Sequence, residues 1–229
     1  MQARLIETHE IAPEVRQFLF EAPELDSLAF QPGQFVSFRG ELEGRPVTRA
    51  YSIASLPRGN RFELCLNRVR EGLFSPWLFD LQAGQSIVMR GPLGYFTPRS
   101  PFRDAVLVAT GTGVAPFRAF LQSDTVLDNG ARVTLLFGTR YEQGLLYRAE
   151  FEALAESWPG FTYIPTLTRP SNGWQGRQGR VQAHLEEALA NRTGLDVYIC
   201  GLKEMVEEVR TLLKARGFDR KQIIAERYD

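Results

Sequence analysis

Hydrophobic and polar residues alternate in short runs through about residue 100 of the chain. Residues 34–38 and 61–66 show the alternation most clearly, and segments rich in Gly, Pro and Asn separate the runs, at residues 32–33, 57–60 and 91–94. A period of two residues predicts antiparallel strands with one buried face. About six strands of this length predict a small closed β-barrel, interrupted by a short helix near residues 75–81.

The pattern changes after Pro101 to continuous apolar runs that alternate with amphipathic stretches. Such runs, typical of parallel strands covered on both faces, occupy residues 105–109, 133–137, 161–164 and 195–200. The clearest amphipathic stretch is residues 202–216. Its apolar positions recur at helical spacing and predict one buried face, made of Leu202, Met205, Val206, Val209, Leu212 and Leu213.

The two patterns predict two domains. An antiparallel β-barrel over residues 1–100 is followed by an α/β doubly wound parallel sheet over residues 101–229. A doubly wound sheet binds its ligand beyond the carboxyl ends of the strands. We therefore expect four loops to converge on one crevice, beginning at Thr110, Gly138, Leu167 and Gly201.

Composition and charge exclude several classes of protein. The 229 residues include 27 basic and 27 acidic side chains, so the electrostatic footprint of a general nucleic-acid binder is absent. No apolar run approaches the ~18 residues of a membrane helix, and the first residues lack the apolar core of a signal peptide. We expect a cytoplasmic monomer. The two cysteines, Cys65 and Cys200, are too few for a four-cysteine cluster or zinc site, so no metal is expected.

The segment Arg49-Ala50-Tyr51-Ser52 lies on a predicted strand of the barrel. Side chains alternate along a strand, so Arg49 and Tyr51 share one face. An arginine and an aromatic ring in this arrangement can bind a phosphate and a planar ring together. An ordinary half-buried strand with one surface arginine explains the motif equally well.

The segment Gly72-Leu73-Phe74-Ser75-Pro76 precedes the short helix. Ser75 as N-cap and Pro76 in the first turn predict the helix start, where free amide groups favour an anion such as pyrophosphate. Many helices begin in this way without binding a ligand.

The segment Thr110-Gly111-Thr112-Gly113 lies directly after a predicted buried strand. Glycines allow a backbone to approach a dinucleotide pyrophosphate closely, and the following helix start attracts negative charge. Pro116 replaces the third glycine of the fingerprint Gly-x-Gly-x-x-Gly, so a simple strand–helix turn stays open as an interpretation.

Two further segments lie late in the chain. Cys200-Gly201 ends another predicted strand, where a thiol can approach a reacting ring or can simply be a small buried residue. The C-terminal residues 225–229 follow a short predicted strand and include Glu226 and Tyr228, although terminal residues are often frayed.

In this order, the five segments resemble the ferredoxin–NADP reductase family of flavoproteins over nearly the whole chain, from Gly33 to Tyr228. The resemblance implies an FAD-dependent oxidoreductase that takes a hydride from NADPH or NADH. It also implies that single electrons pass to ferredoxin or a similar small carrier. The reaction is expected in the cleft between the two domains.

The resemblance also implies roles for the barrel residues. Arg49 is expected to hold a flavin phosphate, Tyr51 to pack against the isoalloxazine ring and Ser52 to hydrogen-bond near flavin N5. Further cofactor contacts are expected from Ala50, Gly72, Phe74 and Ser75. The coupling of the arginine strand to a pyrophosphate-type helix start favours FAD over FMN.

In the second domain, the resemblance places the dinucleotide against Thr110, Gly111, Thr112 and Gly113. Cys200 and Gly201 are expected beside the nicotinamide. Glu226 and Tyr228 resemble the aromatic ending that stacks on the flavin in plant-type members, but Asp229 displaces the carboxyl terminus here.

Charge near the adenosine ribose decides between NADPH and NADH. Thr168-Arg169 resembles the Ser-Arg pair of NADPH users, and Arg140, Arg177 and Arg180 add positive charge. Glu142 acts in the opposite direction, and an arginine-rich surface without a ligand is the alternative. The balance favours NADPH.

Other functions fit the same motifs. The chain is alternatively an electron-transfer subunit of a larger complex, the reductase component of an oxygenase, a reductase of free flavin or a flavin-binding sensor without turnover. An acidic ferredoxin requires a basic docking face, for which Arg16, Arg70 and Arg90 are candidates.

Overall fold

The computed structural model describes residues 1–128 and 130–228, which divide into two compact units. The first unit contains residues 1–98 together with residues 115–123. The second contains residues 99–114 and the described chain from residue 124 onward. The division at residue 100 into two functional domains stays a prediction. Within the described residues, no helix is long and apolar enough to cross a membrane.

The first unit is built on six antiparallel strands and one short helix, α1 (Phe74–Phe79). The strands are β1 (Gln2–Ala12), β2 (Val15–Glu21), β3 (Phe35–Leu42), β4 (Arg45–Ser52), β5 (Arg61–Asn67) and β6 (Ser86–Leu93). Their order is β4-β3-β6-β1-β2-β5, and a bridge between Ile53 and Leu64 joins the two outer strands. The predicted barrel is therefore confirmed.

Alternating apolar residues of these strands fill the barrel. Phe18 and Phe20 on β2 are fully buried, and the Phe20 ring lies 5.0 Å from the ring of Phe38 and 5.8 Å from that of Phe62. Burial of each such ring contributes about 1.5–3 kcal/mol. Helix α1 adds Phe74 and Leu78 to the same core. The pattern of period two thus predicted both the strands and their inner face.

The predicted start of α1 at Ser75 is wrong. The helix begins at Phe74 after Leu73, and no side chain caps it. Ser75 lies within the first turn, where its Oγ accepts a hydrogen bond of 2.9 Å from the backbone N–H of Val69. The hydroxyl therefore satisfies an amide of the preceding loop instead of an amide of its own helix.

Helix α2 (Ala115–Leu121) packs with the barrel unit. Its Phe117 and Phe120 are fully buried, each with its ring 5.8 Å from the ring of Phe96. Gly33 has a φ of +88°, and a Cβ on it would lie 2.5 Å from the Phe120 ring and 2.0 Å from the Phe96 carbonyl oxygen. Only glycine fits this turn beneath the helix.

The second unit is a parallel sheet of six strands. They are β7 (Ala105–Thr110), β8 (Val133–Thr139), β9 (Phe161–Leu167), β10 (Arg177–Gln178), β11 (Asp196–Leu202) and β12 (Ile223–Tyr228), in the order β10-β9-β8-β7-β11-β12. The remaining helices are α3 (Asp124–Leu127), α4 (Arg148–Ser157), α5 (Leu185–Leu189) and α6 (Lys203–Ala215). One-turn 3-10 helices occupy Gly111–Val114, Glu142–Gly144, Val181–His184 and Arg220–Gln222. The predicted doubly wound sheet is confirmed.

The predicted apolar face of α6 is only partly correct. Four of its residues are buried in the core of the second unit, namely Met205, Val206, Val209 and Leu213. Leu212, however, is 42% exposed and Leu202 is 65% exposed. Leu202 precedes the helix as the last residue of β11, and Leu212 points about 100° away from Leu213 because a helix has 3.6 residues per turn.

Candidate functional site

The order of the second sheet defines a switch point. From β7 the chain continues to β8 on one side, and it later returns to β11 on the other side. Ligands of such sheets bind at this point, beyond the carboxyl ends of the strands. Thr110 ends β7 and leads into the turn Gly111–Val114, while Cys200 and Gly201 lie at the end of β11.

The two strand ends pack so closely that side chains are excluded between them. A Cβ on Gly113 would lie 2.4 Å from the carbonyl oxygen of Cys200. Gly201 has a φ of +151°, and a Cβ there would lie 2.5 Å from Thr110 Oγ1. Gly111, in contrast, has a φ of +54° and no neighbouring atom within 4 Å of its Cβ position. The structure thus brings the predicted glycine turn and the Cys-Gly segment together, with an open backbone position at Gly111.

Thr110 carries a buried, unsatisfied polar atom beside Gly201. Its Oγ1 has no hydrogen-bond partner among the described residues. Buried hydroxyl groups nearly always have a partner in native structures. Together with the glycine cradle, this unsatisfied hydroxyl fits a polar group of a bound dinucleotide.

Cys200 is fully buried beside the last strand. Burial raises the pKa of its thiol well above the ordinary value, the Glu226 carboxylate raises that pKa further, and a hydrogen bond with the Tyr228 side chain opposes both effects. In the parallel register Cys200 is opposite Glu226, and Leu202 is opposite Tyr228. Three predicted site residues therefore lie together around a neutral thiol. The stacking of Tyr228 on a flavin stays a prediction, and Asp229 lies outside the described residues.

The loops after β8 and β9 are joined to each other. The backbone N–H of Thr168 donates to the carbonyl of Thr139 at 3.0 Å, and that of Arg169 donates to the carbonyl of Arg140 at 2.8 Å. The side chain of Arg169 also lies 3.5 Å from the Tyr141 hydroxyl. Both Arg140 and Arg169 are exposed. Arg140 and Arg169, two of the four arginines predicted near the adenosine ribose, are therefore neighbours.

The other charged residues of this region have partners within the second unit. Arg177 forms hydrogen bonds with Glu187, which raise the pKa of the guanidinium. Glu142 accepts a hydrogen bond of 2.6 Å from Arg148. Arg180 lies 3.9 Å from a carboxylate of α6, that of Glu208. Arg177 is therefore engaged with Glu187, and Glu142 is paired with Arg148, which also pairs with Glu152.

In the barrel unit, Arg49 and Tyr51 share a face of β4 as predicted from strand geometry. The exposed Arg49 donates to the carbonyl of its neighbour Thr48, at 2.8 Å. The Tyr51 ring is half-buried, 6.0 Å from the Phe38 ring and 6.3 Å from the Phe74 ring. Burial raises the pKa of Tyr51 to about 12, although Arg49 lowers it slightly. A neutral aromatic ring thus lies next to α1, beside a guanidinium that can reach an anion.

The other predicted flavin contacts differ in exposure. Ser52 is buried opposite Phe35, whereas Ala50, two residues earlier on the same face and opposite Ser37, is exposed. Phe74 is 2% exposed and belongs to the core. The N–H of Gly72 donates to the Val69 carbonyl at 2.9 Å, closing a tight turn before α1. Contacts of these residues with a flavin stay predictions.

A polar cluster in the barrel unit was not predicted from the sequence. The guanidinium of Arg118 donates to the carbonyl of Ala54 at 2.9 Å and contacts the Glu63 carboxylate at 2.5 Å. Glu63 also accepts from Gln17 at 2.6 Å. The only available signal was that Arg118 is the single charged residue in the apolar stretch of α2.

Both halves of the chain match known protein families. Residues 2–97 match the oxidoreductase FAD-binding domain, and residues 107–211 match the oxidoreductase NAD-binding domain. Ferredoxin--NADP reductase B of Sorangium cellulosum is 40% identical, over 100% of this chain and 97% of that protein. The toluate 1,2-dioxygenase electron transfer component of Pseudomonas putida is 29% identical, over 99% of this chain and 67% of that protein.

Solved structures show the same two-part fold. A cytochrome P450 reductase of Amycolatopsis superposes with a TM-score of 0.88 at 30% identity, covering 99% of this chain and 69% of that one. A ferredoxin NADP+ reductase from Neisseria gonorrhoeae, with bound FAD and NADP, gives a TM-score of 0.86 at 24% identity, covering 99% and 98%. The second likeness concerns the fold alone.

Proposed function

Because this chain belongs to the ferredoxin–NADP reductase family, we propose that it passes electrons from NADPH through FAD to a ferredoxin-like carrier. It is an oxidoreductase with an FAD-binding and an NAD-binding domain, and it transfers hydride from NAD(P)H to FAD. Bound FAD supplies the redox chemistry, because it can accept a hydride and release electrons one at a time. NADPH as the preferred donor and ferredoxin as the acceptor are the parts that we add.

The observation that carries the proposal is the cradle at the switch point of the second sheet. Gly113 and Gly201 leave no room for a Cβ, and the buried Thr110 hydroxyl lacks a partner among the described residues. We assign these residues to the nicotinamide end of the dinucleotide. The neutral Cys200 thiol adds no negative charge there, so it does not compete as a nucleophile or base.

We assign the flavin to the barrel residues. Arg49 supplies a guanidinium for a phosphate, and Tyr51 supplies a neutral ring next to it. Ser52 is assigned to flavin N5, and Gly72 and Ser75 to the pyrophosphate. The protein contributes orientation and water exclusion, since the redox chemistry belongs to the cofactor.

The preference for NADPH rests on Arg140 and Arg169. Their loops are joined by backbone hydrogen bonds, and both side chains are exposed. Two guanidinium groups suit a 2′-phosphate, whereas an acidic side chain would favour a 2′-hydroxyl. The acidic candidate weighed in the sequence, Glu142, is paired with Arg148.

Substitution of Arg169 tests this preference. We expect Arg169→Ala to raise the KM for NADPH about 10-fold, because about 1.4 kcal/mol of phosphate binding is lost. The KM for NADH should change by less than about twofold, since NADH has no 2′-phosphate. Steady-state reduction of ferricyanide with each dinucleotide measures both values. Arg216→Ala removes a surface arginine paired with Glu186 and is the control. Equal catalytic efficiency of the wild-type chain with NADH would contradict the proposal.

A second candidate acceptor is the terminal component of an oxygenase. Two oxygenase reductases align with most of this chain. The toluate dioxygenase component aligns with 99% of its length, and the glycine betaine monooxygenase reductase subunit of Pseudomonas aeruginosa aligns with 90%. This chain spans 67% and 58% of those proteins. Affinity capture from the source cell, followed by electron transfer to each captured redox protein, distinguishes the two acceptors.

The predicted docking arginines differ in availability. Arg16 donates to the Phe79 carbonyl at 2.9 Å and lies over its ring, and Arg70 pairs with Glu14 at 3.3 Å. Arg90 is exposed on β6. Among these three arginines, we therefore assign contact with an acidic carrier to Arg90.

A further inference from the structure

Arg118 is an almost buried charge on helix α2. Its side chain is 11% exposed, and its guanidinium donates to the Ala54 carbonyl and to the Glu63 carboxylate. Removing a guanidinium from water is unfavourable unless hydrogen bonds and an opposite charge compensate for it. Both forms of compensation are present here, so the placement of the Arg118 guanidinium depends on these specific partners.

The partners of Arg118 are themselves joined. The Ala54 N–H donates to the Glu63 carbonyl at 2.8 Å, and the Glu63 N–H donates to Ser55 Oγ at 3.0 Å. The Glu63 carboxylate also accepts from Gln17. Loss of Arg118 would therefore leave a partly buried carboxylate and a backbone carbonyl without their strongest donor.

The segment held in this way directly follows Ser52. Ile53 donates its N–H to the Gln34 carbonyl at 2.9 Å and bridges to Leu64, so barrel strands fix it from two sides. Arg118 fixes the next residue, Ala54, from a helix. The end of the strand that carries Ser52 is thus tied to α2.

Helix α2 also has a second connection through the chain. It begins at Ala115, immediately after the glycine turn Gly111–Val114. Phe117 and Phe120 hold the helix by apolar packing, which is non-directional. The hydrogen bonds of Arg118 are directional and can fix the helix along and around its axis.

We propose that Arg118, together with Glu63, is a positioning residue for hydride transfer. It links the strand end after Ser52 to the helix into which the dinucleotide turn runs. This inference rests on the proposed function. Hydride transfer depends steeply on geometry, and a misplacement of about 1 Å can cost about 100-fold in rate.

The test is anaerobic stopped-flow reduction of the bound FAD over a range of NADPH concentrations. We expect Arg118→Ala to lower the limiting reduction rate at least about 10-fold, with the NADPH Kd within about twofold and FAD fully bound. Arg118→Lys keeps the charge but not the planar fork, so an intermediate rate is expected. The matched control is Arg192→Ala, which removes a 22%-exposed arginine paired with Asp104 and should leave the limiting rate within about twofold.

Several outcomes would overturn the inference. Wild-type limiting rates in both Arg118 variants would do so, as would a slow rate that added FAD restores. If Arg118→Ala does not fold, Glu63→Gln takes its place, with a several-fold lower rate expected and a wild-type rate contradicting the inference. A wild-type chain that neither NADPH nor NADH reduces overturns the proposed function as well, whereas normal wild-type reduction with unaffected variants overturns the positioning role alone.

Discussion

At the scale of the residue, Gly113 shows how a missing side chain builds the candidate site. Its α-carbon lies so close to β11 that a methyl group would overlap the backbone of Cys200. Backbone atoms cannot move aside as the tip of a flexible side chain can. The motif was recognisable in the sequence because two glycines follow a buried strand and precede a helix, as in the dinucleotide fingerprint, although Pro116 replaces the third glycine.

We expect Gly113→Ala to destabilise the protein by about 1–3 kcal/mol, because the added Cβ would lie 2.4 Å from the Cys200 carbonyl oxygen. Urea unfolding followed by circular dichroism measures the change in the free energy of unfolding. Gly194→Ala is the control, since a Cβ at that position meets no atom within 4 Å. Its effect should stay within about 0.5 kcal/mol. Equal stability of the two variants would show that the turn and β11 are not packed in this way.

Other residue-level predictions failed or stayed open because they depend on partners far away in the sequence. Ser75 satisfies the amide of Val69 rather than capping its helix. Arg177 pairs with Glu187, ten residues later. Local spacing predicts which residues can form a motif, but it does not show which of several possible partners each side chain binds in the fold.

At the scale of the element, α6 shows that a residue can fit the helical period of apolar positions without being buried. A helix turns 100° per residue, so two adjacent leucines cannot both point into the core unless the buried face is wide. Leu213 is fully buried and Leu212 is 42% exposed. The sequence predicted the helix correctly, but it assigned two exposed residues to the buried face, Leu212 on the helix and Leu202 at the end of β11.

We expect Leu213→Ala to lower the free energy of unfolding by about 2–5 kcal/mol, because it removes buried methyl groups and leaves a cavity. Leu212→Ala should change it by less than about 0.5 kcal/mol. The same chemical change at adjacent positions makes the pair its own control, and thermal unfolding measures both. Similar losses in the two variants would contradict the assigned face.

The parallel strands were predictable from the sequence, whereas their order in the sheet and the packing of the helices were not. Continuous apolar runs that alternate with helical stretches indicate parallel strands without fixing which strands are neighbours. The packing of α2 with the barrel depends on Phe96 and on a glycine at position 33. No local pattern in α2 predicts contacts with residues more than twenty positions away in the sequence.

At the scale of the whole molecule, opposite charges balance, so the response to acid depends on particular carboxylates and not on net charge. Asp104 is the clearest case. It accepts hydrogen bonds from Arg132 and Arg192, which precede β8 and β11. Burial raises the pKa of Asp104, but the hydrogen bonds and charge of Arg132, with the charge of Arg192, outweigh burial and lower it.

A carboxyl whose pKa is lower in the folded than in the unfolded state stabilises the fold at pH values above the unfolded-state pKa. That contribution is lost as the pH falls through the folded-state pKa. We therefore expect Asp104→Asn to cost about 1 kcal/mol at pH 7, with the difference from wild type shrinking below about pH 4. Urea unfolding at pH 7, 5 and 3.5 measures this trend. The exposed Asp26→Asn is the comparison. A difference that stays constant down to pH 3.5 would contradict the role of the charge.

Helix α2 has a consequence for recombination among reductases of this kind. Residues 115–123 belong to the barrel unit, although they lie in the chain after the first strand of the second unit. The two units therefore cannot be exchanged as consecutive blocks of sequence. A chimera that takes its parallel sheet from another reductase inherits a foreign α2 unless residues 115–123 are grafted back. Compatibility of that helix with the barrel then determines which parental halves can be combined.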